Sequence, residues 1–147
     1  MNQRIVSVTA TIPAPAADLF EILATPRRHA EIDGSGTVRS AYAGPERLSL
    51  GATFGMSMRR GAPYRITSTV VELEEGRRIA WRHPLGHVWR YLLEPVEGGT
   101  RVTEQFDWST SGAPGRAFIK LGGYATKNRE GMEQTLVRLA DAVSSPA

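Results

Sequence analysis

Apolar and polar positions alternate at two different periods along this chain, and the periods predict its elements. Residues 4–12 alternate one by one and are rich in β-branched side chains, which is typical of a half-buried strand. Residues 16–24 and 25–32 then show helical spacing, with Pro15 and Pro26 placed where a first helical turn tolerates a missing N–H. The sequence therefore predicts one strand followed by two short helices.

The long central stretch keeps the two-residue period almost throughout. It is interrupted only by short turns that contain glycine or proline. Six further strands are predicted, at residues 37–43, 52–59, 64–74, 78–83, 88–95 and 101–110. Because a parallel pairing needs a crossover of about a dozen residues, these short turns predict an antiparallel meander.

The last part of the chain returns to helical spacing. Residues 116–143 carry one apolar stripe and predict a single long helix. Gly122, Gly123 and Gly131 interrupt this helix, and such glycines indicate close backbone approach or open space beside it. The predicted fold class is α+β: one domain over residues 1–147 in the order β-α-α-β6-α, with a curved antiparallel sheet of about seven strands around the C-terminal helix.

A single helix about 10 Å across cannot fill the concave side of so wide a sheet, so an internal cavity is expected. The more apolar alternate set of each strand marks the inner face, and it contains all three tryptophans. The residues predicted to line the cavity are Phe54, Met56, Met58, Tyr64, Ile66, Trp81, His83, Trp89, Tyr91, Glu104, Phe106, Trp108, Phe118, Leu121 and Ala125. Aromatic walls with a few polar groups are typical of small-molecule sites, although simple core packing would use the same residues.

Glu104 is the most unusual member of this set, because the register points a carboxyl at an apolar interior. Such a group must pair or take up a proton, and His83 and Tyr64 are the expected partners on the same face. Glu104 and His83 are therefore the candidate acid/base residues. A bulge that turns Glu104 outward, or a structural pair with an arginine, is the alternative interpretation.

The sequence contains little that indicates thiol chemistry or a metal site. The chain has no cysteine, which excludes disulfides, thiol catalysis and thiolate-bound metals. His83 and His87 have a zinc-like spacing, but Pro84 and Gly86 exclude a helix there, so the two rings would meet only across a hairpin. Since no third ligand is evident, no metal is predicted, and no cofactor is predicted either.

Charge and hydropathy restrict the partners. The net charge is +3, but the 18 basic residues are scattered rather than gathered on one stripe, so no nucleic-acid partner is predicted. No apolar run approaches the roughly 20 residues of a membrane span, and the N-terminal residues read as a strand rather than a signal peptide. A cytoplasmic protein is expected, with the oligomeric state open between a monomer and a homodimer.

Several short stretches suggest a known family. They are Ile12-Pro13-Ala14-Pro15 followed by Leu19-Phe20, Arg77-Arg78-Ile79-Ala80-Trp81, Glu94-Pro95-Val96-Glu97-Gly98-Gly99-Thr100-Arg101-Val102-Thr103, and Thr135-Leu136-Val137-Arg138-Leu139. Together with the element order, the chain resembles the START-like helix-grip superfamily (SRPBCC), in particular its bacterial polyketide cyclase/dehydrase-like branch. This resemblance implies a hydrophobic cavity between helix and sheet and ligands such as lipids, sterols, polyketides or aromatic metabolites. It implies no shared catalytic motif.

Three functions are compatible with these features. The first is binding of a small hydrophobic ligand, of lipid, polyketide or aromatic type, in the cavity. The second is a polyketide cyclase/dehydratase-type enzyme in which Glu104 or His83 moves protons. The third is a partner-binding module with a filled core, which would act through its outer sheet face.

Overall fold

The computed structural model describes residues 4–121 and 123–144, without the side chains of residues 118, 121 and 124–127. The strands are β1 (Ile5–Ile12), β2 (Val38–Ala43), β3 (Thr53–Arg60), β4 (Ala62–Glu74), β5 (Arg78–Arg82), β6 (Val88–Val96) and β7 (Gly99–Asp107). The helices are α1 (Ala16–Leu23), α2 (His29–Ile32), which follows a 3₁₀ turn at Pro26–Arg28, α3 (Ala113–Leu121) and α4 (Tyr124–Ser144).

The described strands form one seven-stranded antiparallel sheet in the order β1-β7-β6-β5-β4-β3-β2. From β2 to β7 each strand pairs with its neighbour in the chain, while β1 pairs with β7 from Ile5 opposite Asp107 to Ile12 opposite Thr100. Register shifts in β2 and β4 add local bends, as bulges do. The predicted meander and the α+β helix-grip fold are confirmed.

The C-terminal helical region differs from the prediction in one respect. The single helix expected over residues 116–143 is wrong, because α3 and α4 are separate helices. Gly123 lies between them with φ at 65°, a left-handed conformation that favours glycine and commonly ends a helix. Gly123 therefore marks a break, where the apolar stripe alone suggested continuity.

The helices pack against the sheet mainly toward its β1 edge. There α4 packs against β1 and β7, and α1 packs against α4, β5 and β6. Leu19, Leu23, Val102 and Leu139 are fully buried in this region. Each such side chain stabilises the fold by about 1.5–3 kcal/mol relative to an exposed one. The rest of the concave face is left for α2 and the middle of α4 to cover. No helix in the described residues is long and apolar enough to cross a membrane.

The loop between α2 and β2 is fixed directly onto α4. A Cβ atom built at Gly34 would overlap the carbonyl oxygen of Gly131, so the two backbones are in close contact. The Gly34 amide donates a 2.9 Å hydrogen bond to Thr135 Oγ1, and this hydroxyl donates to the Gly131 carbonyl at 3.0 Å. The sequence predicted either close backbone approach or open space at Gly131; the structure has close approach, and Gly34 is the residue that permits it.

Candidate functional site

A cavity of about 570 Å³ lies between the inner face of the sheet and the helices. Its walls come from β2 to β7, from α2 and the loop after it, and from one residue of α3 and several of α4. This volume is within the range of about 300–1,000 Å³ that is typical of small-molecule sites. The expected space beneath the sheet is therefore present.

Most of the residues predicted from strand alternation lie at this cavity. They are Phe54, Met56, Met58, Tyr64, Ile66, Trp81, His83, Trp89, Tyr91, Glu104 and Phe106. Tyr64 lies near solvent, with 41% of its surface exposed, whereas Phe106 is fully buried. The predicted residues Phe118, Leu121 and Ala125 have side chains outside the described ones. That these residues bind a ligand stays a prediction.

Trp108 departs from its predicted place and is not among the described residues that line the cavity. The reason is that β7 ends at Asp107, so the alternation that turns Glu104 and Phe106 inward stops one residue earlier. Trp108 instead packs, partly buried, against the core, and its amide donates to the carbonyl of Arg4 at 2.9 Å. It is a packing residue at the strand end.

One side of the cavity is built around the ring of Trp81. His29 stacks on this indole with ring centroids 5.0 Å apart, Phe54 meets it edge-on at 5.5 Å, and Tyr91 lies at 5.6 Å. These contacts fix the rings relative to one another, since aromatic pairs prefer stacked or edge-to-face arrangements. The result is a wall of mutually packed rings.

A second aromatic group continues this wall on β6 and β7. Trp89 and Phe106 are directly opposite in the register, and their ring centroids are 4.8 Å apart. His87 meets Phe106 edge-on at 5.0 Å. Together the two groups give the cavity flat apolar surfaces against which a planar or hydrocarbon ligand can pack.

Glu104 lies inside the cavity and is only 3% exposed. The Tyr91 hydroxyl donates a 3.0 Å hydrogen bond to Glu104 Oε2, while Oε1 is buried without a partner among the described residues. Burial raises the pKa of Glu104 to about 8; the Tyr91 hydrogen bond lowers it, and the negative charge of Asp33 raises it further. The carboxyl therefore carries its proton at neutral pH.

This geometry corrects the expected partners of Glu104. His83 and Tyr64 were expected, but the partner is Tyr91, which lies directly opposite on β6. The alternative interpretations, an outward bulge or a pair with arginine, also fail, because β7 pairs without a register shift and the hydrogen-bond donor is a tyrosine.

His83 and His87 meet across the β5–β6 turn, as their spacing suggested. Their rings stack with centroids 4.2 Å apart, and the Leu85 amide donates to His83 Nδ1 at 3.1 Å. Burial lowers the pKa of His83 to about 4 and that of His87 to about 3, the latter also through repulsion from His83. Both rings are neutral at pH 7. Among the described residues, no group of three or more His, Asp or Glu side chains could hold a metal ion.

His29 is a cavity residue that the sequence reasoning missed. Its Nε2 donates to the Leu23 carbonyl at 2.8 Å, and burial lowers its pKa to about 4. The available signal was its spacing from Ile32, since residues three apart share one helix face and both line the cavity.

Loops, helices and the ends of two strands supply the other residues that strand alternation did not identify. They are Asp33, Ser35, Thr37, Val38, Arg60, Leu85, His87, Ile119, Asn128, Gly131, Met132 and Thr135. Within α4, the spacing of Asn128, Met132 and Thr135 at four and three residues was a signal for one inward face.

The comparison with protein families agrees with this geometry. The family model described as polyketide cyclase / dehydrase and lipid transport matches residues 3–144. The chain belongs to this family. The resemblance stated from the sequence is thereby confirmed, at the level of a family that includes both enzymes and lipid carriers.

A curated relative is an uncharacterized protein of Mycobacterium tuberculosis, Rv0088. It is 46% identical over 140 residues, which are 92% of this chain and 62% of that protein. The chain thus spans less than two thirds of the length of the curated relatives that it matches.

Solved structures share the fold at low sequence identity. The protein NE0264 of Nitrosomonas europaea superposes with a TM-score of 0.71 at 16% identity, covering 95% of this chain and 94% of that one. The polyketide cyclase-like protein Cgl2372 of Corynebacterium glutamicum gives 0.65 at 21% identity, covering 97% and 93%. These similarities concern the fold alone.

Proposed function

We propose that the protein binds a small hydrophobic molecule, of lipid, polyketide or aromatic type, in the cavity between the sheet and α4. The observation that carries this proposal is the volume of about 570 Å³ bounded by ordered aromatic walls. A partner-binding module with a filled core would not contain such a space, because unfilled apolar volume destabilises a fold. The family, which includes lipid transport, gives independent support.

A second candidate is an enzyme of the cyclase/dehydratase kind. The specific observation in its favour is Glu104, a buried acid whose pKa of about 8 suits proton donation near neutral pH. His83 is a weaker candidate, since burial lowers its pKa to about 4 and leaves it a poor base. In this alternative the same cavity holds the substrate and Glu104 protonates an oxygen that gains charge.

Ligand binding is tested with the neutral fluorescent probe N-phenylnaphthylamine and two variants of β4. Ser68 lines the cavity, whereas Thr67 is exposed on the opposite face of the strand. Ser68→Phe fills the space and is expected to weaken probe binding at least about tenfold, equivalent to about 1.4 kcal/mol. Thr67→Phe adds the same ring outside and is the matched control, expected to bind within about twofold of wild type.

Two outcomes contradict the proposal. One is a wild-type protein that does not bind the probe, and the other is equal binding by wild type and Ser68→Phe. Circular dichroism of both variants confirms that the sheet has formed. A cytoplasmic location and the choice between monomer and homodimer stay predictions from the sequence, which cell fractionation and native mass spectrometry address.

A further inference from the structure

Two buried polar atoms of cavity-lining residues, Glu104 Oε1 and His87 Nδ1, have no hydrogen-bond partner among the described residues. Glu104 Oε1 is buried and receives no hydrogen bond from the described residues, although Oε2 accepts one from Tyr91. An unsatisfied buried oxygen costs about 1–3 kcal/mol, so such an atom calls for an explanation. Since Glu104 lines a space large enough for a small molecule, a ligand can supply the missing partner.

The state of the carboxyl determines what that partner must be. Burial keeps the proton on Glu104 at neutral pH. In the neutral acid one oxygen is a carbonyl and the other a hydroxyl. Because the Tyr91 hydroxyl donates to Oε2, that oxygen has the accepting role, and the proton belongs on Oε1. Oε1 is then an O–H donor at the cavity wall to which the described residues offer no acceptor.

The surrounding groups favour a neutral ligand atom. The Asp33 carboxylate is already held by its own loop, accepting from Ser35 at Oδ1 and from the Val38 amide at Oδ2. It is a lining residue and its charge raises the pKa of Glu104. A ligand carboxylate would meet this negative charge. Burial also keeps the lining histidines His29, His83 and His87 neutral at pH 7. The cation Arg60 lines the cavity from the end of β3, but the charge that acts on Glu104 is that of Asp33.

We propose that Glu104 is the specificity residue of the cavity and, as a neutral acid held by Tyr91, donates from Oε1 to an uncharged acceptor oxygen of the ligand, such as a ketone or ester carbonyl. The ligand is thus an apolar, preferably aromatic, molecule. Its carbonyl group lies in the part that is buried in the cavity next to Glu104. This inference rests on the proposed ligand-binding function and goes beyond it by naming the group that is recognised.

The test uses three small probes that differ in one group. They are acetylnaphthalene, its isopropenyl analogue, in which CH₂ replaces the carbonyl oxygen at the same ring position, and the corresponding naphthylmethylammonium ion. Quenching of the cavity tryptophans Trp81 and Trp89 reports binding of each probe. At pH 6.5 the wild-type protein is expected to bind the ketone about five- to tenfold more tightly than the alkene. This difference is what one buried hydrogen bond contributes to binding.

Variants assign this preference to Glu104. Glu104→Gln keeps an N–H donor, so the preference for the ketone is expected to survive within about twofold. The double variant Glu104→Met with Tyr91→Phe removes both partners without stranding either, and its ketone-to-alkene ratio is expected to fall to about one. The infrared carbonyl stretch of the bound ketone should move to lower frequency in wild type but not in the double variant. Binding of the alkene shows that each variant still has a cavity.

The outcomes separate this inference from the function on which it rests. If wild type binds the ketone and the alkene equally well, the protein binds ligands in its cavity but Glu104 does not recognise the carbonyl group. Tighter binding of the ammonium ion than of the ketone would show that the cavity selects a cation, through Glu104 or Asp33, and not a neutral carbonyl, which also overturns the inference. If none of the probes binds, both the inference and the proposed function fail.

Discussion

Tyr91 on β6 and Glu104 on β7 face each other directly across the sheet, and the tyrosine hydroxyl donates to Glu104 Oε2 at 3.0 Å. This hydrogen bond stabilises the ionised form of Glu104 and so opposes the effect of burial on its pKa. Tyr91→Phe is therefore expected to raise the pKa of Glu104 above its wild-type value of about 8. Titration of the Glu104 side-chain carboxyl by carbon NMR measures this change directly.

A matched control is available in the same cavity. Tyr64 also lines the space, but it lies at the solvent-exposed end. Among the described residues, no hydrogen bond joins Tyr64 to Glu104. Tyr64→Phe should leave the pKa of Glu104 unchanged. A pKa that falls in Tyr91→Phe would show that the hydroxyl does not donate to the carboxylate.

The buried carboxyl should make the protein less stable at alkaline pH. The folded pKa of Glu104, about 8, lies above its ordinary value of 4.5, so between these values the folded state holds more of this proton than the unfolded state. Its contribution to the free energy of unfolding is complete below about pH 4.5 and is lost as the pH rises through about 8. Urea unfolding at pH 6.5, 7.5 and 8.5 should show a declining free energy.

Glu104→Gln removes this titration while retaining similar size and hydrogen-bonding capacity. In this variant the decline above pH 6.5 should be much reduced. The outer-face carboxylate Glu94, which pairs with Arg101 at 3.1 Å, provides a control, since Glu94→Gln should leave the slope as in wild type. An identical decline in Glu104→Gln and wild type would assign it to other groups.

Strand alternation alone predicted much of the site, because a half-buried strand repeats its inward positions every two residues. That rule placed Trp81, Tyr91 and Glu104 on one face, where the structure has them. It could not pair Glu104 with Tyr91, because alternation within one strand contains no information on cross-strand register. It also failed at Trp108, where the strand had already ended.

Some of the cavity residues that the sequence did not identify lie in loops, where side chains follow no regular spacing. Asp33 and Ser35 belong to a loop, and their position depends on contact of Gly34 with α4, which is over 90 residues away in the chain. The split between α3 and α4 was missed for a different reason. The apolar stripe continues across Gly123, and only the backbone conformation there shows that the helix does not.

Acid should also destabilise the fold, through the three histidines. Burial lowers the pKa values of His29 and His83 to about 4 and that of His87 to about 3, below the ordinary 6.5. Between these values the three histidines bind more protons in the unfolded state, which outweighs the opposite contribution of the single Glu104, so the free energy of unfolding falls as the pH drops from about 6.5 toward 4. Each histidine contributes up to about 1.4 kcal/mol per pH unit in this window.

His29→Phe tests how much of this acid destabilisation is due to His29. The variant keeps an aromatic ring against Trp81 but cannot titrate, and it also loses the hydrogen bond to the Leu23 carbonyl. It should be less stable than wild type at pH 7, by about 1–3 kcal/mol, but its free energy of unfolding should fall less steeply in acid, by up to about 1.4 kcal/mol per pH unit. Urea unfolding between pH 4.5 and 7 measures both. An unchanged slope would mean that His29 is protonated in the folded protein.

The contact between Gly34 and Gly131 predicts opposite effects for two glycine-to-alanine substitutions. A Cβ at Gly34 would overlap backbone atoms of α4, which cannot move aside independently of the helix. Gly34→Ala is therefore expected to destabilise the protein by about 1–3 kcal/mol or more. At Gly131 a Cβ meets Ser35 at an ordinary 3.5 Å, and alanine favours the helix by up to about 1 kcal/mol.

Gly131→Ala should thus be neutral or stabilising, which makes it the matched control for Gly34→Ala. Thermal and urea unfolding of the two variants give the comparison. Because Gly131 also lines the cavity, Gly131→Ala is expected to lower its volume slightly and to weaken binding of a large probe more than that of a small one. Equal stability of Gly34→Ala and wild type would show that the α2–β2 loop is not held against α4, and that this part of the cavity wall can open.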